Sequence, residues 1–265
     1  MYSPFQLAKK CLRYYFTASS GKGHGVHSPF VYDFIVRVLN DRTRYEPYEK
    51  IEAIRKLLAT DNTVIPVEDF GAGSHKKAAG TRVVSAIAAS ALKPKKFSQL
   101  LFRIARYYKT RHIVELGTSL GITSSYLACS NEHAMLDTME GAPSVASIAK
   151  NNFETIGLKN IRLHVGNFDE TLPLLLNELK QIDLAFVDGN HRREPTVRYF
   201  RQLLPACHND TIIIFDDIHW SEEMEQAWEE IKKDDRVSMT IDLFFIGLVF
   251  FKKEFRVKQD FVIRF

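Results

Sequence analysis

The stretch RHIVELGTSLGITSSYL, residues 111–127, decides the fold of this chain. Residues 112–115 form a short apolar run that ends on a carboxylate, residues 117–121 form a glycine turn, and a helix-forming segment follows. Glycines let a backbone pass close to a ligand, and the start of the next helix points free N–H groups at it. The pattern therefore predicts a strand-loop-helix unit that cradles a nucleotide-like ligand.

The spacing of the glycines in this loop bears on which ligand it binds. The sequence E-L-G-T-S-L-G lacks the middle glycine of G-x-G-x-x-G, which makes room for a pyrophosphate, so a dinucleotide is disfavoured. Rossmann-like units place an acidic residue at the end of the second strand, about 20 residues further on, where it holds ribose hydroxyls. The segment AMLDTMEG delivers Glu140 to that place. A nicotinamide-dependent reductase is thus an alternative, but a disfavoured one.

This pairing of a glycine loop with an acidic residue resembles the cofactor site of class I S-adenosylmethionine-dependent methyltransferases. In that family the first loop carries an acidic residue and glycines, as Glu115, Gly117 and Gly121 do here, and the second strand ends on a ribose-binding acid, as Glu140 does. The resemblance implies that S-adenosylmethionine is the cofactor. It implies further cofactor contacts at Ser119, Gly141, Asn167, Phe168 and Asp188.

The pattern after residue 111 indicates an α/β fold. Strand-like runs alternate with helix-like segments, which predicts a parallel sheet covered by helices on both faces. Residues 237–253, VSMTIDLFFIGLVFFKK, break this rhythm with two apolar runs and predict an antiparallel hairpin. With the resemblance, the expected fold is Rossmann-like, with a mostly parallel seven-stranded sheet and a C-terminal hairpin. The last residues, QDFVIRF, either add an edge strand or pack on the surface.

The chain is expected to consist of a helical N-terminal extension, residues 1–92, and a cofactor-binding methyltransferase domain, residues 93–265. Apolar residues at helical spacing within residues 3–20 and 45–59 indicate the helices of the extension. Residues 67–74, VEDFGAGS, look like a second nucleotide loop. However, Pro66 interrupts the strand before it, and no carboxylate follows about 20 residues later, so we predict a loop there.

Each predicted strand of the sheet delivers a polar or acidic group to its carboxyl end. These groups are Glu115, Glu140, residues 166–169, Asp188, and the pair Asp216 and Asp217. Ligands of open α/β sheets bind beyond the carboxyl ends of the strands. The sequence therefore places the candidate chemistry at one edge of the sheet.

Two stretches, IDLAFVDGNHRREPTVRYF and TIIIFDDIHW, resemble the metal-dependent small-molecule O-methyltransferases, the catechol O-methyltransferase group and its macrocin-type sugar relatives. The resemblance implies that Asp188, Asp216 and Asp217 hold magnesium and that the acceptor is a hydroxyl of a small molecule. Three carboxylates from neighbouring strand ends also suit a hard divalent cation on chemical grounds. The alternative is that Asp217 caps the next helix and that no metal binds.

The proton acceptor is predicted to be His191, which follows Asp188 by three positions. The catechol enzymes have a lysine there, and an imidazole has a pKa close to working pH. Asn190, where some sugar enzymes have an aspartate, cannot take a proton. His219 is the substitute candidate, and in many relatives the histidine equivalent to His191 contacts the cofactor instead.

Charge and composition limit the partners. Residues 1–110 carry 19 Lys and Arg against 8 Asp and Glu, whereas residues 111–265 carry 17 against 24. An RNA or protein methyltransferase that uses the basic extension is therefore an alternative. A nucleic-acid partner is disfavoured, because the basic residues form no block of five.

Several features together predict a cytoplasmic protein. No apolar run is long enough for a membrane span, and the N-terminus lacks the apolar core of a signal peptide. The three cysteines show no paired spacing, which indicates reduced thiols. The oligomeric state stays open, a homodimer included.

Overall fold

The computed structural model describes residues 1–69 and 78–265. The predicted loop at residues 67–74 and its neighbour His75 thus lie largely outside the described residues. The described strands are β1 Val64–Asp69, β2 Ala78–Val83, β3 His112–Leu116, β4 Met135–Glu140, β5 Ile161–Val165, β6 Ile182–Val187, β7 Cys207–Asp216, β8 Met239–Asp242, β9 Ile246–Phe250 and β10 Gln259–Val262.

Helices occur before the sheet and between its strands, as the alternating pattern predicts. They are α1 Pro4–Thr17, α2 Pro29–Phe34, α3 Pro47–Ala59, α4 Val84–Ala91, α5 Lys95–Tyr107, α6 Ile122–Ala128, α7 Pro143–Ile156, α8 Phe168–Glu178, α9 Arg193–Leu203 and α10 Glu222–Lys233. A π-helical turn, Ile35–Leu39, continues α2, and a 3-10 turn, Leu204–Ala206, follows α9. None of the described helices combines the length and apolar character that crossing a bilayer requires.

Strands β3 to β10 form an eight-stranded sheet in the order β10-β8-β9-β7-β6-β3-β4-β5. Strand β4 runs parallel to β3 and β5, and β6 runs parallel to β7, whereas β9 is antiparallel to both β7 and β8. The predicted Rossmann-like sheet with an antiparallel hairpin is confirmed. It has one strand more than expected, because β10 pairs in parallel with β8.

The prediction for the segment around Pro66 is wrong, because this proline lies within strand β1. Strand β1 pairs with β2 in a separate two-stranded antiparallel sheet, in which Pro66 faces Thr81. A proline removes one N–H donor, which disrupts a central strand but is tolerated at an edge. A two-stranded ribbon consists of edge strands alone, and this explains how the strand accommodates it.

The chain divides into two compact units, Arg42–Leu179 and Met1–Asp41 together with Lys180–Phe265. In the first unit an aromatic cluster joins helices α3, α5 and α6. The ring centroid of Tyr48 lies 5.0 Å from that of Phe102 and 5.4 Å from that of Tyr126. This packing fixes α6, the helix that follows the glycine loop. The predicted boundary at residue 93 stays a prediction.

In the second unit helix α10 packs closely on strand β9. A Cβ atom on Gly247 would lie 2.8 Å from the ring of Trp228, so only glycine allows this approach. Ser221 caps the helix, and its hydroxyl accepts from the N–H of Met224 at 3.2 Å. The close contact holds the segment that follows Asp216 against the hairpin.

Candidate active site

The glycine loop after β3 is fixed to strand β4 by its backbone. The N–H groups of Gly117 and Thr118 both donate to the carbonyl of Met139 at 3.0 Å. The backbone takes positive φ angles of 107° at Gly117, 47° at Ser119 and 80° at Gly121. Such angles favour glycine, so the sequence pattern and the course of the loop agree.

Gly121 meets two requirements, because its φ is positive and a side chain would collide with its surroundings. A Cβ atom there would lie 2.6 Å from the ring of Phe153, which is buried. We expect Gly121→Ala to lower the free energy of unfolding by about 1–2 kcal/mol through backbone strain and by about 1–3 kcal/mol more through overpacking. Urea denaturation measures this loss.

Gly157 provides the matched control for that prediction. Its φ is 87°, but an added Cβ would have no atom within 4 Å among the described residues. Gly157→Ala should therefore show the backbone term alone, about 1–2 kcal/mol. Equal losses in the two variants would contradict the steric argument.

Glu140 lies at the end of β4, and backbone amides hold both of its carboxylate oxygens. The N–H of Ser119 donates to Oε2 at 2.8 Å, and the N–H of Ala142 donates to Oε1 at 3.0 Å. Burial raises the pKa of Glu140, while bonds from the N–H groups of Ala142, Ser119 and Gly141 oppose the increase. Thus the structure brings Glu140 and the glycine loop together, as predicted from their spacing.

Glu115 is fully buried at the end of β3, within a network of hydroxyl groups. Its Oε2 accepts from the hydroxyl of Ser124 and, at 2.7 Å, from that of Thr138, which also lies 2.6 Å from Thr118 Oγ1. Its Oε1 has no hydrogen-bond partner among the described residues. Sequence reasoning did not identify Ser124 or Thr138, because no local spacing marks them as partners of Glu115.

Burial raises the pKa of Glu115 to about 7, and the bonds from Ser124 and Thr138 only partly oppose it. An unfolded chain would lose this proton near pH 4.5, the ordinary value. The proton's contribution to stability is therefore complete below pH 4.5 and is lost as the pH rises through 7. The free energy of unfolding of the parent chain should therefore fall by about 3 kcal/mol as the pH rises through this range. Glu115→Gln should not show this fall.

Urea denaturation of the parent chain and Glu115→Gln at a series of pH values, without cofactor, measures this difference. The free energy of unfolding of the variant should increase relative to that of the parent chain as the pH rises. If the two stability curves run parallel from acid to neutral pH, Glu115 is not protonated in the folded chain.

The predicted contacts to adenine lie at the start of helix α8. Asn167 is the N-cap residue, and its side-chain oxygen accepts from the N–H of Asp169 at 3.0 Å. Phe168 is the first residue of the helix and is half-buried. The N–H of Gly166 donates to the carbonyl of Glu140 at 2.9 Å, which ties this turn to the end of β4.

Asp188, His191 and Asp216 form a cluster at the carboxyl ends of strands β6 and β7. Each offers one ligand atom, and the three atoms lie within 4.8 Å of one another. His191 Nε2 lies 3.5 Å from Asp188 Oδ1. Asp216 is buried and the other two are half-buried. Two carboxylates and an imidazole at this separation suit a divalent transition-metal ion.

The turn that carries His191 has an unusual backbone. The φ angles are 65° at Asn190 and 27° at His191, and the side-chain amide of Asn190 donates to the hydroxyl of Tyr199. Residues other than glycine seldom adopt such angles, and they often do so at functional sites. The turn directs the imidazole towards Asp188.

Asp217, the third predicted metal ligand, lies beside this cluster. Its φ is 54°, and its N–H donates to the carbonyl of Phe245 at 2.7 Å. Its Oδ2 lies 3.9 Å from His191 Nδ1, so it faces the opposite side of the imidazole from Asp188. The alternative that Asp217 caps α10 is wrong, because Ser221 is the cap.

His219, the substitute candidate for the base, is surrounded by carboxylates. Its Nδ1 lies 3.0 Å from Glu225 Oε1, and its Nε2 lies 2.7 Å from Asp242 Oδ2. Burial lowers the pKa of His219, but the hydrogen bonds and charges of Asp242 and Glu225 outweigh it and raise the pKa. Both ring nitrogens of His219 are thus engaged by carboxylates, which leaves neither available to an acceptor hydroxyl, so this geometry favours His191.

Comparisons with known proteins find a match by sequence to part of the chain and matches by fold to most of it. Residues 114–218 match a family model described as a methyltransferase domain. No curated protein sequence matches the chain. Three solved structures with the same fold bound to a cofactor or its product illustrate the likeness.

An O-methyltransferase from Bacillus cereus in complex with SAH has a TM-score of 0.56 and 18% identity, over 79% of this chain and 92% of that one. The SAH-bound methyltransferase PaMTH1 from Podospora anserina has a TM-score of 0.60 and 14% identity, over 85% and 97%. The O-methyltransferase TomG from Streptomyces achromogenes, involved in tomaymycin synthesis and solved with SAM, has a TM-score of 0.55 and 19% identity, over 84% and 95%. At such low sequence identities, the similarity shows a shared fold and nothing more.

The chain shares the fold of solved methyltransferases, and part of it matches a methyltransferase domain by sequence. The chain carries the methyltransferase domain over residues 114–218, and the resemblance that its sequence predicts is confirmed. The same findings argue against a nicotinamide-dependent reductase, which the loop spacing had already disfavoured.

Proposed function

We propose that this chain transfers the methyl group of S-adenosylmethionine to a hydroxyl oxygen of a small molecule, with the help of a divalent cation. The observation that carries the proposal is the carboxylate of Glu140, which backbone amides of Ser119 and Ala142 hold in place next to the glycine loop. Each carboxylate oxygen accepts one of these bonds and keeps a lone pair for another donor. Two neighbouring ribose hydroxyls would supply such donors.

Two buried polar atoms on the same unit also fit this cofactor. Glu115 Oε1 and Ser119 Oγ have no hydrogen-bond partner among the described residues, although both are buried. A buried polar atom without a partner is costly unless a ligand satisfies it. The ammonium and carboxylate of the methionine portion are a donor and an acceptor of the required kinds.

The cluster of Asp188, His191 and Asp216 has the donor set for a cation such as Mn²⁺, Fe²⁺, Co²⁺ or Zn²⁺, whereas Mg²⁺ prefers oxygen ligands alone. A bound cation would lower the pKa of an acceptor hydroxyl. In this proposal His191 is a ligand through Nε2, and Asp217 orients the imidazole from the Nδ1 side. Without a cation, His191 would instead take the hydroxyl proton as a general base.

The reaction would be an in-line displacement. The acceptor oxygen would form a bond to the methyl carbon while the carbon–sulfur bond breaks. The electron pair of the carbon–sulfur bond would stay on sulfur, which leaves a neutral thioether. The hydroxyl proton would pass to solvent where a cation has lowered the hydroxyl pKa, and to His191 where no cation binds. The residues of this chain would contribute mainly by holding the two reactants in line.

Calorimetry of the full chain with S-adenosylmethionine and with NADH, each with and without Mg²⁺ or Mn²⁺, tests the proposed function. We expect saturable binding heat in the titrations with S-adenosylmethionine and no binding heat in the titrations with NADH. Binding of NADH without binding of S-adenosylmethionine would overturn the proposal. Salt-sensitive binding of RNA would instead favour a nucleic-acid acceptor.

A further inference from the structure

Helix α1 is fixed along one side to its own compact unit. The hydroxyl of Tyr2 donates to Glu225 Oε2 at 2.7 Å, and Lys10 Nζ lies 2.9 Å from Glu225 Oε1. The hydroxyl of Tyr14 donates to the carbonyl of Ile263. Lys10 and Tyr14 lie one turn apart on the same side of the helix, and Tyr2 precedes its first turn. The opposite side of α1 therefore has a defined orientation towards solvent.

The outward side of α1 carries large apolar side chains. Phe5 is 81% exposed, Leu12 is 59% exposed and Phe16 is 76% exposed. Their spacing of seven and then four residues places them in a single stripe along the helix. Exposed apolar residues that occur singly need no explanation, but several aligned on one side of a fixed helix indicate an interaction surface.

The polar residues beside this stripe carry one sign of charge. Lys9 and Arg13 are exposed on the same helix, and residues 1–32 contain no Asp or Glu. Basic residues that flank an apolar stripe are typical of helices that lie in the interface of a membrane with anionic lipids. The 14 residues of α1 span about 21 Å, too short to cross a bilayer but sufficient to lie in its surface.

A second copy of this chain fits the surface less well. In a two-fold dimer the same patch contacts itself, so Lys9 and Arg13 of one copy would lie against those of the other. No acidic residue of this helix is present to compensate the repulsion. The charge therefore favours an anionic partner over a self-complementary contact.

We propose that helix α1 docks the protein on an anionic lipid bilayer. Phe5, Leu12 and Phe16 enter the boundary of the acyl chains, and Lys9 and Arg13 contact the headgroups. This function is separate from methyl transfer, and it would bring the protein to a membrane surface.

Co-sedimentation of the full chain with vesicles tests this proposal. The vesicles are phosphatidylcholine alone and phosphatidylcholine mixed with phosphatidylserine, at low and high salt. We expect binding to the anionic vesicles that weakens as salt rises. Lys9→Glu with Arg13→Glu should weaken it by at least about 30-fold, because each basic residue near the surface contributes about 1 kcal/mol. Phe5→Ser with Phe16→Ser should weaken it at least about 10-fold.

The matched control lies on helix α3, where Lys56 and Leu57 are also exposed. Lys56→Glu with Leu57→Ser should leave vesicle binding unchanged. Circular dichroism checks that each variant is folded, which we expect since all these positions are exposed. Absence of binding to anionic vesicles, or binding that the α1 variants do not reduce, would overturn the proposal. The proposal would also be overturned if vesicles bind no protein and light scattering shows a dimer that Phe5→Ser with Phe16→Ser dissociates.

Discussion

Glu140→Gln is expected to weaken the binding of S-adenosylmethionine at least about 100-fold. Hydrogen bonds to a charged acceptor contribute about 1.5–3 kcal/mol each, and two ribose hydroxyls would lose the charge that strengthens them. A loss of about 3 kcal/mol corresponds to about 100-fold in affinity. Isothermal titration calorimetry of the full chain measures the change directly and does not depend on knowing the acceptor.

Glutamine at this position keeps one oxygen that can accept from the N–H of Ser119 or Ala142, so the variant should remain folded. Glu154, which is exposed on helix α7, provides the control. Glu154→Gln should bind S-adenosylmethionine like the parent chain. A folded Glu140→Gln variant with unchanged affinity would show that this carboxylate does not hold the cofactor, whatever the rest of the site does.

The glycine loop and Glu140 could be predicted from the sequence because both belong to local patterns. A glycine turn after an apolar run marks the end of a strand, and the distance to Glu140 follows from one strand-helix-strand unit. The network around Glu115 could not be predicted in this way. Ser124 reaches Glu115 because helix α6 packs against the sheet, and Thr138 reaches it because β3 and β4 pair in one register.

The short strands β1 and β10 also could not be predicted from local sequence patterns alone. Strand β10 has four residues, and its sequence is compatible with a strand or with surface packing. The register with β8, in which Gln259 faces Met239, decides between them. Likewise, Pro66 excludes a central strand but not an edge strand, and the sequence alone does not tell which of the two forms.

The identity of the residues in the candidate metal cluster depends on backbone angles that spacing does not reveal. Sequence reasoning treated Asp216 and Asp217 as an equivalent pair. The left-handed φ of 54° at Asp217 and the turn at residues 190–191 change this, so that His191 rather than Asp217 is grouped with Asp188 and Asp216. Left-handed angles at residues other than glycine are uncommon, and the spacing of residues along the chain does not predict where they occur.

The binding of Mn²⁺ is expected to distinguish the roles of these residues. Asp216→Asn should weaken it at least about 100-fold, because it removes the charge of a buried ligand. His191→Gln should also weaken it strongly if the imidazole is a ligand. Asp217→Asn should weaken it by about 10-fold, as expected for a residue that only orients a ligating histidine. Electron paramagnetic resonance of free Mn²⁺ in titrations with the full chain measures all three affinities.

The comparison of His191→Gln with Asp217→Asn decides between the two ligand sets. Asparagine tolerates the left-handed angle at position 217 as well as aspartate does, so that variant changes the charge and leaves the turn intact. If Asp217→Asn abolishes binding and His191→Gln does not, the site consists of carboxylates, and His191 becomes available as the base. If the parent chain binds no Mn²⁺ and no Mg²⁺, the cation has no part in the reaction. Methyl transfer would then depend on His191 and on the alignment of the reactants.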